Sequence, residues 1–337
     1  MRAACNSSFP SVPVFNGFED AAVQRCADHV ATGQLLGFAT ETVYGLGARA
    51  DDDNAVAQIF QAKGRPSTHP LIVHVLSMEA ALVFASELPA AAQRLAAAFW
   101  PGPLTLILPR RADVAESAAA GQSSVGLRVP SHPVAMALLQ ALAGRGVAGV
   151  AAPSANRFGH VSPTTAGHVQ SGFGPELWVL DGGPCDVGIE SAIVDCTREQ
   201  PALLRPGQLS RARLQSVLHM ELAAPDGASP RAPGTLAAHY APFAPLQVLA
   251  AAELTARVEA IGWADKSIGV YSRELPLAGF AGLWRQMPAH AAEVAHDLFA
   301  VLRSFDSAGV THIWVQQPPP GPEWEGVRDR LQRAASA

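Results

Sequence analysis

Residues 63–75, KGRPSTHPLIVHV, decide the fold. The stretch leaves a helical pattern at 53–62, turns through Gly64 and Pro66, and enters a short apolar strand. The same alternation extends outward in both directions. LLGFAT (35–40), LIVHVL (71–76), LTLILP (104–109), VGLRVP (125–130), VAGVAAP (147–153), LWVLDGG (177–183) and SAIVDCT (191–197) read as strands punctuated by Gly or Pro. Helical patterns cover 53–62, 89–99 and 132–143. Several strands follow one another without a helix between them, so the expected core is α/β with a mixed sheet.

Residues 222–245 are rich in proline with little periodicity, which reads as a linker rather than a packed element. A second α/β pattern follows: LQVLA (246–250), a helix near 253–261, SIGVYS (267–272), a long helix over 289–307, THIWVQQ (311–317) and a last helix near 323–335. That tail is long enough to form a small domain. The whole chain has 337 residues and 49% apolar content, ample for two cores.

A net charge of -5 argues against tight direct nucleic-acid binding, which draws its affinity from Lys and Arg on phosphates. No apolar run reaches the roughly eighteen residues a membrane span needs, and the polar, proline-broken N-terminus makes a poor signal peptide. Cys5, Cys26, Cys185 and Cys196 lack CxxC pairing or metal-ligand spacing. They read as free, mostly buried thiols of a cytoplasmic protein.

Lys63 and Arg65 leave a turning backbone as two cations that suit a triphosphate, although cations also favour the end of any helix. His69 and His74 bracket a strand and face opposite sides of it unless His69 sits in the preceding turn. Ser154 and Asn156 follow the strand at 147–153, where ligands of open α/β sheets gather and where turn caps are also common. Ser162, Thr164 and Thr165 add small donors. Arg128 lies within an apolar strand and needs either an anion in a cleft or a carboxylate such as Glu190 or Asp195. Tyr240 reads as an anchor for the linker. GLGA at 45–48 is only part of a dinucleotide-binding glycine motif; a Walker A loop and a nucleophile elbow are missing.

Taken with ETVYGLGA (41–48), FWPGPLTLIL (99–108), APSANRFGHVSPTT (152–165), LLRPG (203–207) and HYAP (239–242), these segments resemble the YrdC/YciO/Sua5 family of threonylcarbamoyl-AMP synthases, in its longer two-domain form. The resemblance implies a YrdC-like twisted mixed sheet with a concave active-site face over residues 12–221, a lid at 222–245, and a smaller Rossmann-like C-terminal domain at 246–337. It implies catalytic roles for Lys63, Arg65, Ser154 and Asn156, and L-threonine contacts from Thr40, His74, Arg128, Ala152 and Ser191. ATP would meet Arg65, His69, Ser124, Ser154, Ser162, Arg205 and Tyr240. His69 stands where the family usually has Asn, Ala39 where it has Pro, and Ala192 where it has Thr.

The implied reaction joins L-threonine, bicarbonate or CO2 and ATP to give threonylcarbamoyl-AMP and pyrophosphate. A downstream transferase would then modify tRNA adenosine. Mg2+ is expected with the triphosphate, while no carboxylate cluster suggests a protein-only metal cage. Related domains suggest two rivals: a double-stranded RNA-binding module, which the acidic charge disfavours, and a carbamoyl-phosphate-dependent enzyme, whose usual upstream acylphosphatase and zinc-finger segments do not appear.

Overall fold

A computed structural model describes residues 13–261 and 265–337. Cys5, the N-terminal stretch and position 12, the expected start of the first domain, lie outside them. The first ten strands are β1 (Val14–Asn16), β2 (Leu36–Phe38), β3 (Gly45–Arg49), β4 (Ile72–Val75), β5 (Leu104–Pro109), β6 (Ser124–Arg128), β7 (Gly149–Ala151), β8 (Trp178–Asp181), β9 (Ala192–Asp195) and β10 (Ala202–Arg205). They form one mixed sheet in the order β1-β8-β2-β3-β7-β4-β6-β5-β9-β10. All seven strands expected from the sequence are present, along with β1, β3 and β10.

The unexpected β3 explains the GLGA glycines. A Cβ at Gly47 would lie 2.8 Å from the Phe38 ring on β2, and one at Gly45 would lie 3.2 Å from it. The glycines let a strand pass close to an aromatic ring.

Helix Asp53–Lys63 starts where the Asp52 side chain accepts from the Asn54 and Ala55 N–H groups, and stops at Gly64 with φ 65. That stop puts Lys63 in the last turn and sends Arg65 towards β4. Helices Ala90–Phe99 and Pro133–Ala143 also match expectation, whereas Asp20–Ala31, Ala166–Phe173 and Arg211–Leu218 do not. Helix Asp53–Lys63 packs over Leu71 and Val73 of the β4 segment, in a core that takes in Leu106, Leu127 and Val194. The alternate residues Ile72, Ile107, Ile193 and Leu204 point to the other face and are covered by Ala232.

Ala232 belongs to the stretch read as a linker. In the fold, parts of residues 222–245 are packed: Leu222, Ala232, Pro233, Gly234, His239, Tyr240, Pro242 and Ala244 are buried. Ala223 bridges to Ala202, Ala241 bridges to His160, and Arg205 donates to the Pro233 carbonyl. Proline erases periodicity, but the remaining backbone groups find partners along the sheet, so the stretch forms a fitted cover.

The tail forms a second sheet of β11 (Leu246–Leu249), β12 (Ile268–Ser272), β13 (Leu283–Gln286) and β14 (His312–Gln316), all parallel, in the order β11-β14-β12-β13. Helices Ala251–Ile261, Ala291–Ser307 and Glu325–Ala335 accompany it. The half-exposed edge strand β13 escaped the sequence reading because it carries little apolar alternation. A joint core unites this unit with the first: Val43, Val161, Ile189 and Tyr240 pack with Leu298, Phe299, Trp324 and Val327.

Candidate functional site

Residues His74 of β4 and Arg128 of β6 are direct partners across a parallel pair, so their side chains leave the same face of the sheet. Around them the ends of neighbouring elements supply Thr40 after β2, Ala152 and Ser154 after β7, Ser191 before β9, and Arg205 ending β10. Together with Arg65 and Tyr240 these line one cavity of about 530 Å3, open mouth included. The size suits a small-molecule ligand. Nine of the residues expected at a site therefore converge. A second cavity of about 380 Å3 shares Arg65, Gly234 and His239 and adds His69, Phe158 and Arg231. His69 lies in the turn before β4, which is why it and His74 can flank Arg65 from two adjoining hollows.

Lys63, Asn156, Ser124 and Ser162 line neither hollow. The Lys63 ammonium donates to the backbone carbonyls of Ser154 (2.6 Å) and Asn156, while Asn156 Nδ2 donates to the carbonyls of Arg157 and His160. In this state the two brace the loop that carries Ser154. Burial, then the nearby Arg65, pushes the Lys63 pKa well below its ordinary value. Ser162 donates to Glu190, and Ser124 is buried at the start of β6, away from the Arg128 end.

The carboxylate partner of Arg128 is Glu41, whose Oε1 lies 2.7 Å from Nη2. Neither Glu190 nor Asp195 takes that role: Glu190 pairs with Arg330 and Asp195 with Arg198. The turn after β2 brings Glu41 under the guanidinium although 87 positions separate them, so spacing along the chain gave no hint. Thr42 Oγ1 accepts from Nη1 at 2.8 Å and the Gly102 carbonyl from Nε at 3.2 Å. Burial raises the Glu41 pKa, but the Arg128 charge and hydrogen bonds outweigh it and hold the carboxyl below its ordinary value.

A guanidinium carries five N–H donors. Arg65 places two on the carbonyls of His69 and Pro70, and Arg205 three on Ser191 and Pro233, among the described residues. Both retain donors for a ligand. Burial lowers the pKa of Arg65 to about 10 and also lowers that of Arg205, yet both stay charged at neutral pH. His74 and His239 are pushed down to about 3, by burial first, and so are neutral imidazoles.

Tyr240 adopts φ 64, unusual for a non-glycine residue, and is 1% exposed. Its hydroxyl has no hydrogen-bond partner among the described residues. Gly234 makes room: a Cβ there would lie 2.3 Å from that hydroxyl and 2.9 Å from Arg205 Nη1. The sequence reading missed Glu41 and Gly234 altogether, did not assign His239 beside Tyr240, and left Glu190 open as one of two possible carboxylate partners of Arg128. HYAP contained the signal for His239. Cys26, Cys185 and Cys196 are buried free thiols, and burial raises all three pKa values, to about 12 for Cys26 and Cys196.

Residues 28–207 match the family model described as telomere recombination, and residues 209–336 match that of the threonylcarbamoyl-AMP synthase C-terminal domain. The chain is 37% identical to the threonylcarbamoyl-AMP synthase of Pyrococcus abyssi, with 94% of this chain and 95% of that protein covered. It is 34% identical to the Bacillus subtilis protein of the same name, covering 94% and 93%. Its fold is similar to the crystal structure of the P. abyssi protein complexed with L-threonine, with a TM-score of 0.86, 34% identity, and 96% and 97% of the two chains covered.

Proposed function

The chain belongs to the threonylcarbamoyl-AMP synthase family, and on that premise we propose that it condenses L-threonine, bicarbonate or CO2 and ATP into threonylcarbamoyl-AMP and pyrophosphate. The observation that carries this reading is the convergence of Arg65, Arg128 and Arg205 from three separate segments on one cavity. One guanidinium suits an amino-acid carboxylate, and the others suit a polyphosphate beside it.

In this reading Arg128, steadied by Glu41, holds the threonine carboxylate, with Thr40, His74, Ala152 and Ser191 around the rest of the amino acid. The cationic surroundings favour the neutral amine over ammonium. That amine adds to CO2 and releases a proton to solvent, leaving a carbamate. A carbamate oxygen then attacks the α-phosphorus, the bond to the β-phosphate oxygen breaks, and pyrophosphate leaves. His74 is a poor acceptor for the ammonium proton because its own pKa is so low. Its role is neutral hydrogen bonding.

Arg65, Ser154, Arg205 and Tyr240 meet the nucleotide, His69 reaches it from the adjoining hollow, and Lys63 and Asn156 hold the Ser154 loop. Ser124 and Ser162 would reach ATP only after local movement. Catalysis here is positional, aligning two bound groups without a covalent enzyme intermediate. The cover at 222–245 lies in sequence between a first unit that ends at 221 and a second that begins at 246, and it keeps water from the mixed anhydride.

Among the described residues no cluster of side chains forms a magnesium cage, and Glu190, in the cavity wall, is committed to Arg330 and Ser162. A magnesium ion would travel with the triphosphate. The labile product requires a downstream transferase acting on tRNA, and we place the enzyme in the cytoplasm. Among the described residues, no helix is long and apolar enough to cross a membrane.

Pyrophosphate release by purified protein tests the reading. It should require threonine, bicarbonate and ATP together, with the adenylate seen by mass spectrometry. Turnover with carbamoyl phosphate in place of threonine, or salt-dependent RNA binding without turnover, would overturn it.

A further inference from the structure

Arg330 is the most deeply buried charge in the second unit. Its side chain is fully enclosed, yet it points away from its own sheet. From helix Glu325–Ala335 its Nε donates to Glu190 Oε2 at 2.8 Å and its Nη2 to the Glu190 carbonyl at 3.2 Å. Nη1 reaches the Pro206 carbonyl at 3.0 Å and Asp329 at 2.6 Å. The guanidinium also sits over the Tyr240 ring, 5.1 Å from its centroid. The helix gets this close because Gly326 has no side chain: a Cβ there would lie 2.7 Å from the Gly207 carbonyl.

Glu190 lines the cavity beside Ser191 and Arg205. Left without Arg330, its carboxylate would face the cations meant for phosphate. Arg205 would pair with it, and a triphosphate would meet a negative wall. We infer that Arg330 is a positioning residue for the nucleotide side of the site: by neutralising Glu190 and seating Tyr240 from the second unit, it leaves Arg205 free to bind the polyphosphate. The inference rests on the proposed synthase reading. It gives the C-terminal unit a defined task in this chain, the supply of a counter-charge that the ten-stranded sheet lacks at that point.

The test uses the full chain with Arg330→Met, Arg330→Lys, Glu190→Gln and the double variant Arg330→Met/Glu190→Gln. Steady-state pyrophosphate release is measured separately against ATP and threonine, with thermal unfolding alongside. Arg330→Met should raise KM for ATP about tenfold or more, with KM for threonine changed less than about threefold, since removing one partner leaves a buried charge beside one ligand only. Glu190→Gln in that background should recover part of the ATP affinity, and Arg330→Lys should keep most of it.

A structural role alone would lower the unfolding temperature and weaken both substrates alike, with no recovery in the double variant. That result overturns the inference. If Arg330→Met does not fold, Arg330→Gln takes its place, keeping a hydrogen-bonding side chain beside Glu190 without the charge: an unchanged KM for ATP in that variant sinks the proposal. Failure of the wild-type chain to make the adenylate would instead sink the synthase reading.

Discussion

The two sheets treat polar groups at their strand ends in opposite ways. At the ends of β4, β6 and β10 the first sheet buries His74, Arg128 and Arg205, each 3% exposed, around a hollow. The parallel second sheet buries a neutral pair at the matching place: Ser272 donates to Gln316 Oε1 at 3.0 Å, and the Arg273 backbone N–H donates to the same oxygen. Its nearby arginines, Arg273 and Arg328, are only half-buried and bond backbone carbonyls. Burying charge without full compensation is costly, and a fold keeps such an arrangement where an arriving ligand completes it. The first sheet is built to receive charge, and the second unit extends two arginines into its neighbour, Arg303 to the carbonyls of Val161 and Ser162 and Arg330 to Glu190.

Substitutions should separate the two regions. The largest effect is expected for Arg128→Ala, which removes the proposed threonine anchor and strands Glu41. Pyrophosphate release should fall below detection, and denaturant unfolding should show a loss of about 3–5 kcal/mol. Wild-type turnover in that variant would dissolve the contrast. Phe305→Ala in the second core should cost a similar 3–5 kcal/mol or so with KM for threonine unchanged; a large KM shift would mean the second sheet shapes the threonine side too.

Acid should find the first sheet first. The folded-state pKa values of His74 and His239 lie near 3 and that of His168 near 4, whereas the histidines of the tail, His290, His296 and His312, are exposed. The unfolded chain takes up protons at these buried positions below about pH 6.5, and the folded one does not. Their contribution is therefore fully present above that pH and is lost as pH falls towards 4. Urea midpoints at pH 7.5 and 5.0 should differ, and histidine-to-glutamine changes at 74 and 239 should narrow the gap.

A subtler test is Tyr240→Phe. It removes a buried hydroxyl that lacks a partner among the described residues, so unfolding should become harder by about 1 kcal/mol, while KM for ATP rises if the hydroxyl serves the nucleotide. Smallest of all, Glu253→Gln breaks an exposed pair with Arg257 on helix Ala251–Ile261 and should move stability by no more than about 0.5 kcal/mol.

Much of this was legible beforehand because short-range physics writes it into the chain. Apolar runs between Gly and Pro marked seven strands of the first sheet. Asp52 and Gly64 bound the helix that delivers Lys63 and Arg65. Helix Asp20–Ala31 went unread although Val23, Ala27 and Val30 keep its spacing, because the polar residues among them mask the stripe. β3 went unread as a strand because its glycines, set aside as an incomplete dinucleotide-binding motif, carry no apolar alternation and show their packing reason only beside the Phe38 ring.

Residue order alone determined the α/β alternation, the cations at the end of a helix, and an arginine inside an apolar strand that had to find an anion. Which anion it found was a tertiary decision. Glu41 came to Arg128 from 87 positions away and Glu190 went to Arg330 across 140, while a proline-rich stretch became a fitted cover over the sheet. Periodicity acts between neighbours in the chain, whereas charge pairing acts between neighbours in space, and only the folded backbone says which residues those are.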